Sequence, residues 1–305
     1  MSPSFDSTHR VSLPLLRYPR TLHLEGSRLH GDDDQQTVKL AALAGQHVVI
    51  EEKLDGANCA ISFSESGEML LQSRGHYLVG GGRERQFAPF HPWARAHEPA
   101  LLERLEDRYV VFGEWTYAKH SVYYDRLPHY FHEFDVWDRR AQHFLSTPRR
   151  RSLLAGLPLL SVPVLYEGPM PSRLKALTAW VRPSLAKSAQ WVESLKVDAE
   201  KRGLDWPLTW KQTDPSSSAE GLYLKLENES EVVGRYKWVR ADFTQTILDS
   251  GSHHAERPIL PNRLAEGVDL YSPNLSLGWE DLGLVTVAGD KLEATGSVGG
   301  TRSSL

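Results

Sequence analysis

The chain has 305 residues, 40% hydrophobic and 24% charged, which fits a globular protein of one large domain or two unequal ones. A net charge of −4 excludes a protein that coats nucleic acid by bulk charge, but not one with a local basic groove. The single cysteine, Cys59, excludes an internal disulfide and any cysteine-based zinc module.

No run of 18 or more apolar residues is present, and residues 1–20 hold no apolar stretch of signal-peptide length. A cytoplasmic protein with no membrane contact is the expectation. Residues 1–20 read as loosely ordered, and Gly31-Asp32-Asp33-Asp34 as a polar loop.

Strands are predicted at 46–50, 58–64 and 68–73. Between the first two lies Glu51-Glu52-Lys53-Leu54-Asp55-Gly56-Ala57-Asn58, a lysine in a turn followed by Asp-Gly turn chemistry. A lysine at a strand end can serve as a nucleophile toward a phosphate only when deprotonated, since its free pKa is ~10.4. Burial or nearby positive charge must achieve that. Gly80-Gly81-Gly82 reads as a surface loop, because no strand-to-helix context with a following Lys-Ser/Thr surrounds it.

A short amphipathic helix is predicted at Leu101–Leu105, and strands at Tyr109–Phe112 and Tyr130–Trp137. Residues 149–210 change character, with helical patterns at Leu174–Val181 and Leu185–Lys201, and read as a helical insertion. Arg149-Arg150-Arg151 reads as a solvated face. Strands follow at Gly221–Leu226 and Glu231–Trp238, then a helix at Asp242–Leu248. His253-His254 sits in a Gly/Ser loop and reads as exposed, and the tail past 290 as frayed.

Polar clusters recur at or near strand ends after Lys53: Ser73-Arg74-Gly75, Phe112-Gly113-Glu114-Trp115, Glu133-Phe134-Asp135, Glu220-Gly221-Leu222-Tyr223-Leu224-Lys225 and Arg235-Tyr236-Lys237. In this order they resemble motifs I, Ia, III, IIIa, IV and V of the covalent nucleotidyltransferases, the polynucleotide ligases and capping enzymes. The sequence is most similar to the ATP-dependent RNA ligases of the phage and kinetoplastid-editing branch, over about residues 18–245.

That resemblance implies an α+β fold: an antiparallel-sheet nucleotidyltransferase (ATP-grasp-like ligase) domain at 12–245 with the insertion at about 149–210. A short helical appendage and tail at 246–305 is expected in place of a second barrel, because 65 residues follow Arg240. It implies Lys53, Glu220 and Lys237 as catalytic residues, with Lys53 forming lysyl-AMP. ATP or AMP would be bound by Glu52 (through its backbone), Lys53, Asn58, Arg74, Glu114, Phe134, Lys225, Arg235 and Lys237. Phe134 would stack on adenine, although it reads equally well as plain core. Asp55, Glu114 and Glu220 would hold Mg²⁺ (or Mn²⁺), mostly through water.

The implied partners are RNA ends, including nicked duplexes, gripped with help from Arg139 and Arg140. A separate end-healing kinase or phosphatase is a further expected partner, and a monomer is expected. Motif V usually begins with lysine where this chain has Arg235, which keeps the charge but not the chemistry. The alternatives are an ATP-dependent DNA ligase, a capping guanylyltransferase, and a catalytically silent protein that binds nucleic-acid ends.

Overall fold

The computed structural model describes residues 14–29, 37–243 and 258–289. The strands of its first half are β1 (Leu22–Leu24), β2 (Thr37–Val38), β3 (His47–Lys53), β4 (Ala57–Phe63) and β5 (Met69–Ser73). Helices α1 (Phe90–Ala96) and α2 (Glu98–Leu105) lead to β6 (Tyr109–Trp115), β7 (Phe131–Asp138) and β8 (His143–Phe144). After α3 (Thr147–Leu154) come β9 (Leu160–Ser161), β10 (Val164–Pro169), α4 (Leu174–Thr178), α5 (Trp191–Lys201) and α6 (Trp206–Lys211). Strands β11 (Gly221–Glu227), β12 (Val232–Val239) and β13 (Val287–Ala288) complete the described order.

These strands form two sheets. One runs β13-β10-β3-β11-β12-β1-β2 and the other β5-β4-β6-β7-β8, with β9 beside β7. The long strands pair antiparallel throughout, as expected for the α+β class. Strand β3 is central in the first sheet, and Val48, Val49 and Ile50 are all fully buried. An unbroken apolar run suits a strand covered on both faces.

Alternation sorts the rest. Leu222, Leu224 and Leu226 of β11 pack with Leu24, Leu177 and Trp180 on the outer face of the first sheet. Cys59, Ile61 and Phe63 of β4 turn away from the first sheet, onto Phe90, Trp93, Leu101 and Leu105 of α1 and α2. The Phe90 ring lies 4.9 Å from Trp115 and 5.7 Å from Phe131. Each such fully buried side chain contributes roughly 1.5–3 kcal/mol.

Between the sheets the interior is charged. Lys225 Nζ lies 2.9 Å from Glu51 and 3.5 Å from Asp135, and Arg235 Nε lies 2.9 Å from Asp135. Arg150 lies 3.1 Å from Glu51 and 3.2 Å from Glu133. Three acids thus meet three bases out of water. The solvated-face reading of Arg149–Arg151 is corrected here: Arg149 and Arg151 are exposed, whereas Arg150 is fully buried. It enters the seam from α3, and its guanidinium and Lys225 both donate to the Phe134 carbonyl.

The stretch 149–210 is not wholly helical. Val164-Leu165-Tyr166 is a β-branched and aromatic run, and it pairs with β3 inside the first sheet. The described part of the C-terminal region, 258–289, contains no helix. It is a strap tied down by Asn262, which accepts from the Tyr124 amide at 2.9 Å and donates to the Thr116 carbonyl at 2.7 Å. Trp279 is buried along its length, and β13 joins β10 at the sheet edge. Most of the predicted Asp242–Leu248 helix, His253-His254 and the tail past 290 lie outside the described residues.

Candidate active site

Lys53 is the last residue of β3, and the register Gly221↔Lys53 sets Glu220 beside it. The Lys53 ammonium donates to Glu220 Oε2 at 2.7 Å. The chain then turns through Asp55-Gly56. A Cβ at Gly56 would come within 2.7 Å of the Trp115 carbonyl oxygen, so glycine is required by close approach to β6. Asp55 Oδ2 accepts from the Ser121 and Val122 amides at 2.7 and 2.6 Å, and its own amide donates to the Tyr124 hydroxyl at 2.8 Å.

Across from Lys53, three residues stand side by side on adjacent strands of the second sheet: Asn58 opposite Glu114, and Glu114 opposite His132. Asn58 Oδ1 is buried with no hydrogen-bond partner, as are both ring nitrogens of His132. Burial, then His129, hold His132 well below its ordinary pKa, so it is a neutral imidazole.

The carboxylates near Lys53 crowd one another. Burial pushes Glu114 up to about 8, with Asp55 and Glu220 adding to the rise against the pull of Lys53. Burial likewise pushes Glu220 up to about 7, eased by Lys53 and by Lys237. For Lys53 itself, burial favours the neutral amine, but Glu220 and then Glu114 outweigh it and raise the pKa. Lys53 is therefore an ammonium here and must lose a proton before it can attack.

The remaining sequence-predicted residues divide. Lys237 is half-buried in β12, near enough to Glu220 to ease its charge. Arg74 is exposed in the turn after β5. Phe134 is half-buried, edge-on to Tyr18 with centroids 5.1 Å apart and 6.3 Å from Tyr223. Lys225 and Arg235 belong to the charged seam, and Lys225 sits four residues along β11 from the Lys53 register, roughly 13 Å by strand rise. Glu52 points to the opposite face of β3 from Lys53. It is buried, with Oε1 unpartnered and its backbone amide donated to the Pro163 carbonyl at 2.9 Å. Arg139 and Arg140 lie past Asp138, at the far end of β7 from Phe131.

Sequence reasoning missed three groups. Arg150 carried no signal beyond a charge run. His132, within the Glu133-Phe134-Asp135 neighbourhood, was hidden by the apolar alternation around it. Tyr18, whose hydroxyl bonds Asp135 and lies 2.7 Å from that of Tyr223, comes from a segment read as loose.

No three His, Cys, Asp or Glu groups among the described residues are placed to hold an ion directly. The donor set nonetheless fits a hydrated divalent cation. Glu114 is destabilised as an anion by burial, Asp55 and Glu220, and Glu220 by burial and Asp55, a charge excess that such an ion would relieve.

A family model described as RNA ligase matches residues 46–239. Among solved structures the chain is similar to a Naegleria gruberi RNA ligase mutant with ATP and Mn, at 18% identity, 66% of this chain, 52% of that chain and a TM-score of 0.43. Another mutant of that ligase, with AMP and Mn, matches at 16% identity, 72% of this chain, 59% of that chain and a TM-score of 0.44. The chain spans between half and three-fifths of those proteins. A comparison with curated proteins finds no match. With the family model covering most of the two facing sheets and both sides of the Lys53 turn, this chain belongs to the RNA ligase family.

Proposed function

We propose that the protein is an ATP-dependent RNA ligase that joins 5′-phosphate and 3′-hydroxyl RNA ends through a lysyl-AMP intermediate. The observation that carries this is the placement of Lys53 at a strand end, 2.7 Å from Glu220 and within the field of Glu114 and Asp55. Glu114 and Glu220, with Asp55 behind them, would hold a divalent cation through water, and that ion would supply positive charge to neutralise phosphate oxygens.

In the first step Lys53 Nζ, having given up a proton, bonds to the α-phosphorus of ATP while the bond to pyrophosphate breaks. Lys237 would neutralise the charge that grows on the α-phosphate oxygens. Asn58 Oδ1, a buried acceptor without a donor, suits a ribose hydroxyl beside Glu114. In the second step an oxygen of the RNA 5′-phosphate attacks the AMP phosphorus and the Nζ–P bond breaks. In the third, the 3′-hydroxyl oxygen bonds to the 5′-phosphorus and AMP leaves. Each step is a displacement at phosphorus, so in-line positioning and charge neutralisation carry the rate.

RNA repair in a cytoplasmic setting, by a monomer whose 5′-phosphate and 3′-hydroxyl ends are prepared by a separate end-healing kinase or phosphatase, completes the reading. Incubation with α-labelled ATP and Mg²⁺ tests it: a label that survives denaturing electrophoresis is expected on the parent and lost in Lys53→Ala. No label on the parent favours the silent end-binding protein. Label from GTP alone favours capping chemistry, and sealing of nicked all-DNA but not RNA favours a DNA ligase.

A further inference from the structure

A pocket of about 110 Å³ opens to solvent, walled by α6, the loop after β6, the turn before α1 and the start of the C-terminal strap. A cavity of ~150 Å³ takes a benzene ring, so this smaller, open space admits one phosphate group or the edge of a base lying across its mouth. Its chemistry is two-sided. Leu204, Leu208 and Ile259 form apolar wall, and Leu208 is 53% exposed. Arg85, Lys119 and His120 line the other side.

The acidic lining residue, Asp205, already accepts from the Leu208 amide at 2.8 Å as the cap of α6. Lys119 Nζ donates to the His120 and Gln212 carbonyls at 3.1 and 2.7 Å, which fixes the ammonium at the pocket wall. His120 Nε2 lies 2.9 Å from Gln86 Oε1. An apolar wall facing fixed positive charge suits a nucleobase joined to a phosphodiester better than it suits an apolar peptide.

The pocket is also wired to the reaction centre. Lys119 and His120 immediately precede Ser121 and Val122, whose amides grip Asp55, two residues from Lys53. On the second side, the Gln86 carbonyl accepts from Trp115 Nε1 at 2.7 Å, and Trp115 follows Glu114. The pocket therefore sits on the order of 10–15 Å from Lys53 by chain geometry, within reach of a strand whose end is being joined.

We infer that this pocket is a subsite for one nucleotide of the RNA strand, with its base on the Leu204–Leu208 wall and its phosphodiester on Arg85. The inference rests on the RNA ligase reading for its ligand but not for its geometry. The test uses Arg85→Glu and Leu208→Glu, both at exposed positions, with a 5′-phosphorylated RNA carrying 4-thiouridine. Both variants are expected to take up AMP as the parent does, while KM for RNA rises about tenfold and more. Photo-crosslinks on the parent are expected within residues 204–212 or 258–260 and to weaken in both variants.

Crosslinks confined elsewhere, with KM for RNA unchanged in both variants, overturn the subsite. The same result is expected if the pocket instead receives a protein segment. Failure of the ligase reading shows separately, as a parent that takes no AMP yet still crosslinks through this pocket.

Discussion

The Lys53 ammonium lies 2.7 Å from the Glu220 carboxylate, and the pair is a resting state rather than an attacking one. Burial would lower the lysine pKa, but Glu220 and Glu114 together raise it. Below that raised pKa the neutral fraction grows tenfold per pH unit. Self-adenylylation at fixed ATP and Mg²⁺ is therefore expected to climb with pH from 6 to 9, with a log slope approaching +1. More Mg²⁺ should move the climb to lower pH, because cation charge offsets the two glutamates. Single-turnover labelling across pH measures this, and a flat profile contradicts it.

Lys225 poses a different question, because the family resemblance makes it a nucleotide contact while the structure surrounds it with Glu51, Asp135 and the Phe134 carbonyl. Removing one base leaves buried carboxylates unpaired, at a cost of about 3–5 kcal/mol. Lys225→Met is expected to lower the melting temperature by roughly 6–15 °C. Unchanged melting with lost AMP transfer would instead make Lys225 a direct ligand of the nucleotide.

Much of this was legible from residues alone. The seven long strands β3–β7, β11 and β12 announced themselves by apolar runs or alternation, and the polar clusters marked strand ends because those residues cannot continue a core-facing pattern. Arg150 and Lys225 were not legible as partners: 75 positions separate them, and only the facing of two sheets brings both to Glu51. The strand at 164–169 was masked by flanking prolines, and the strap at 258–289 lacks any periodicity to read. The charge state of Lys53 was beyond sequence altogether, since it depends on distances to carboxylates contributed by β6 and β11.

Asn58 offers a test of the nucleotide side of the cleft. Its Oδ1 is buried and unpartnered beside Glu114, so the folded protein carries an acceptor that a ribose hydroxyl would satisfy. Asn58→Ala removes that acceptor together with its desolvation cost, so stability should hardly change. The lost hydrogen bond is worth about 0.5–1.5 kcal/mol, so KM for ATP in self-adenylylation should rise about two- to tenfold. An unchanged KM for ATP would place the nucleotide elsewhere.

Glu52 sits one residue before Lys53 yet behind the sheet, and its influence should appear in stability. Burial pushes its carboxyl up to about 7, against Ser184 and Lys187. Burial, then Arg240, bring Lys187 down to about 7. A raised folded pKa means the fold prefers the protonated acid. Glu52 thus stabilises fully below about pH 4.5, the ordinary value for an unfolded carboxyl, and loses that contribution as pH rises through about 7. The loss is on the order of 3 kcal/mol. Lys187 runs the other way, its contribution intact above about pH 10 and lost as pH falls through about 7. Glu52→Gln should therefore melt higher than the parent at pH 8 and close to it at pH 5, measured by thermal unfolding in matched buffers. A lower melting temperature at pH 8 would mean that Glu52 and Lys187 form a net-stabilising ion pair, and that burial does not dominate the acid.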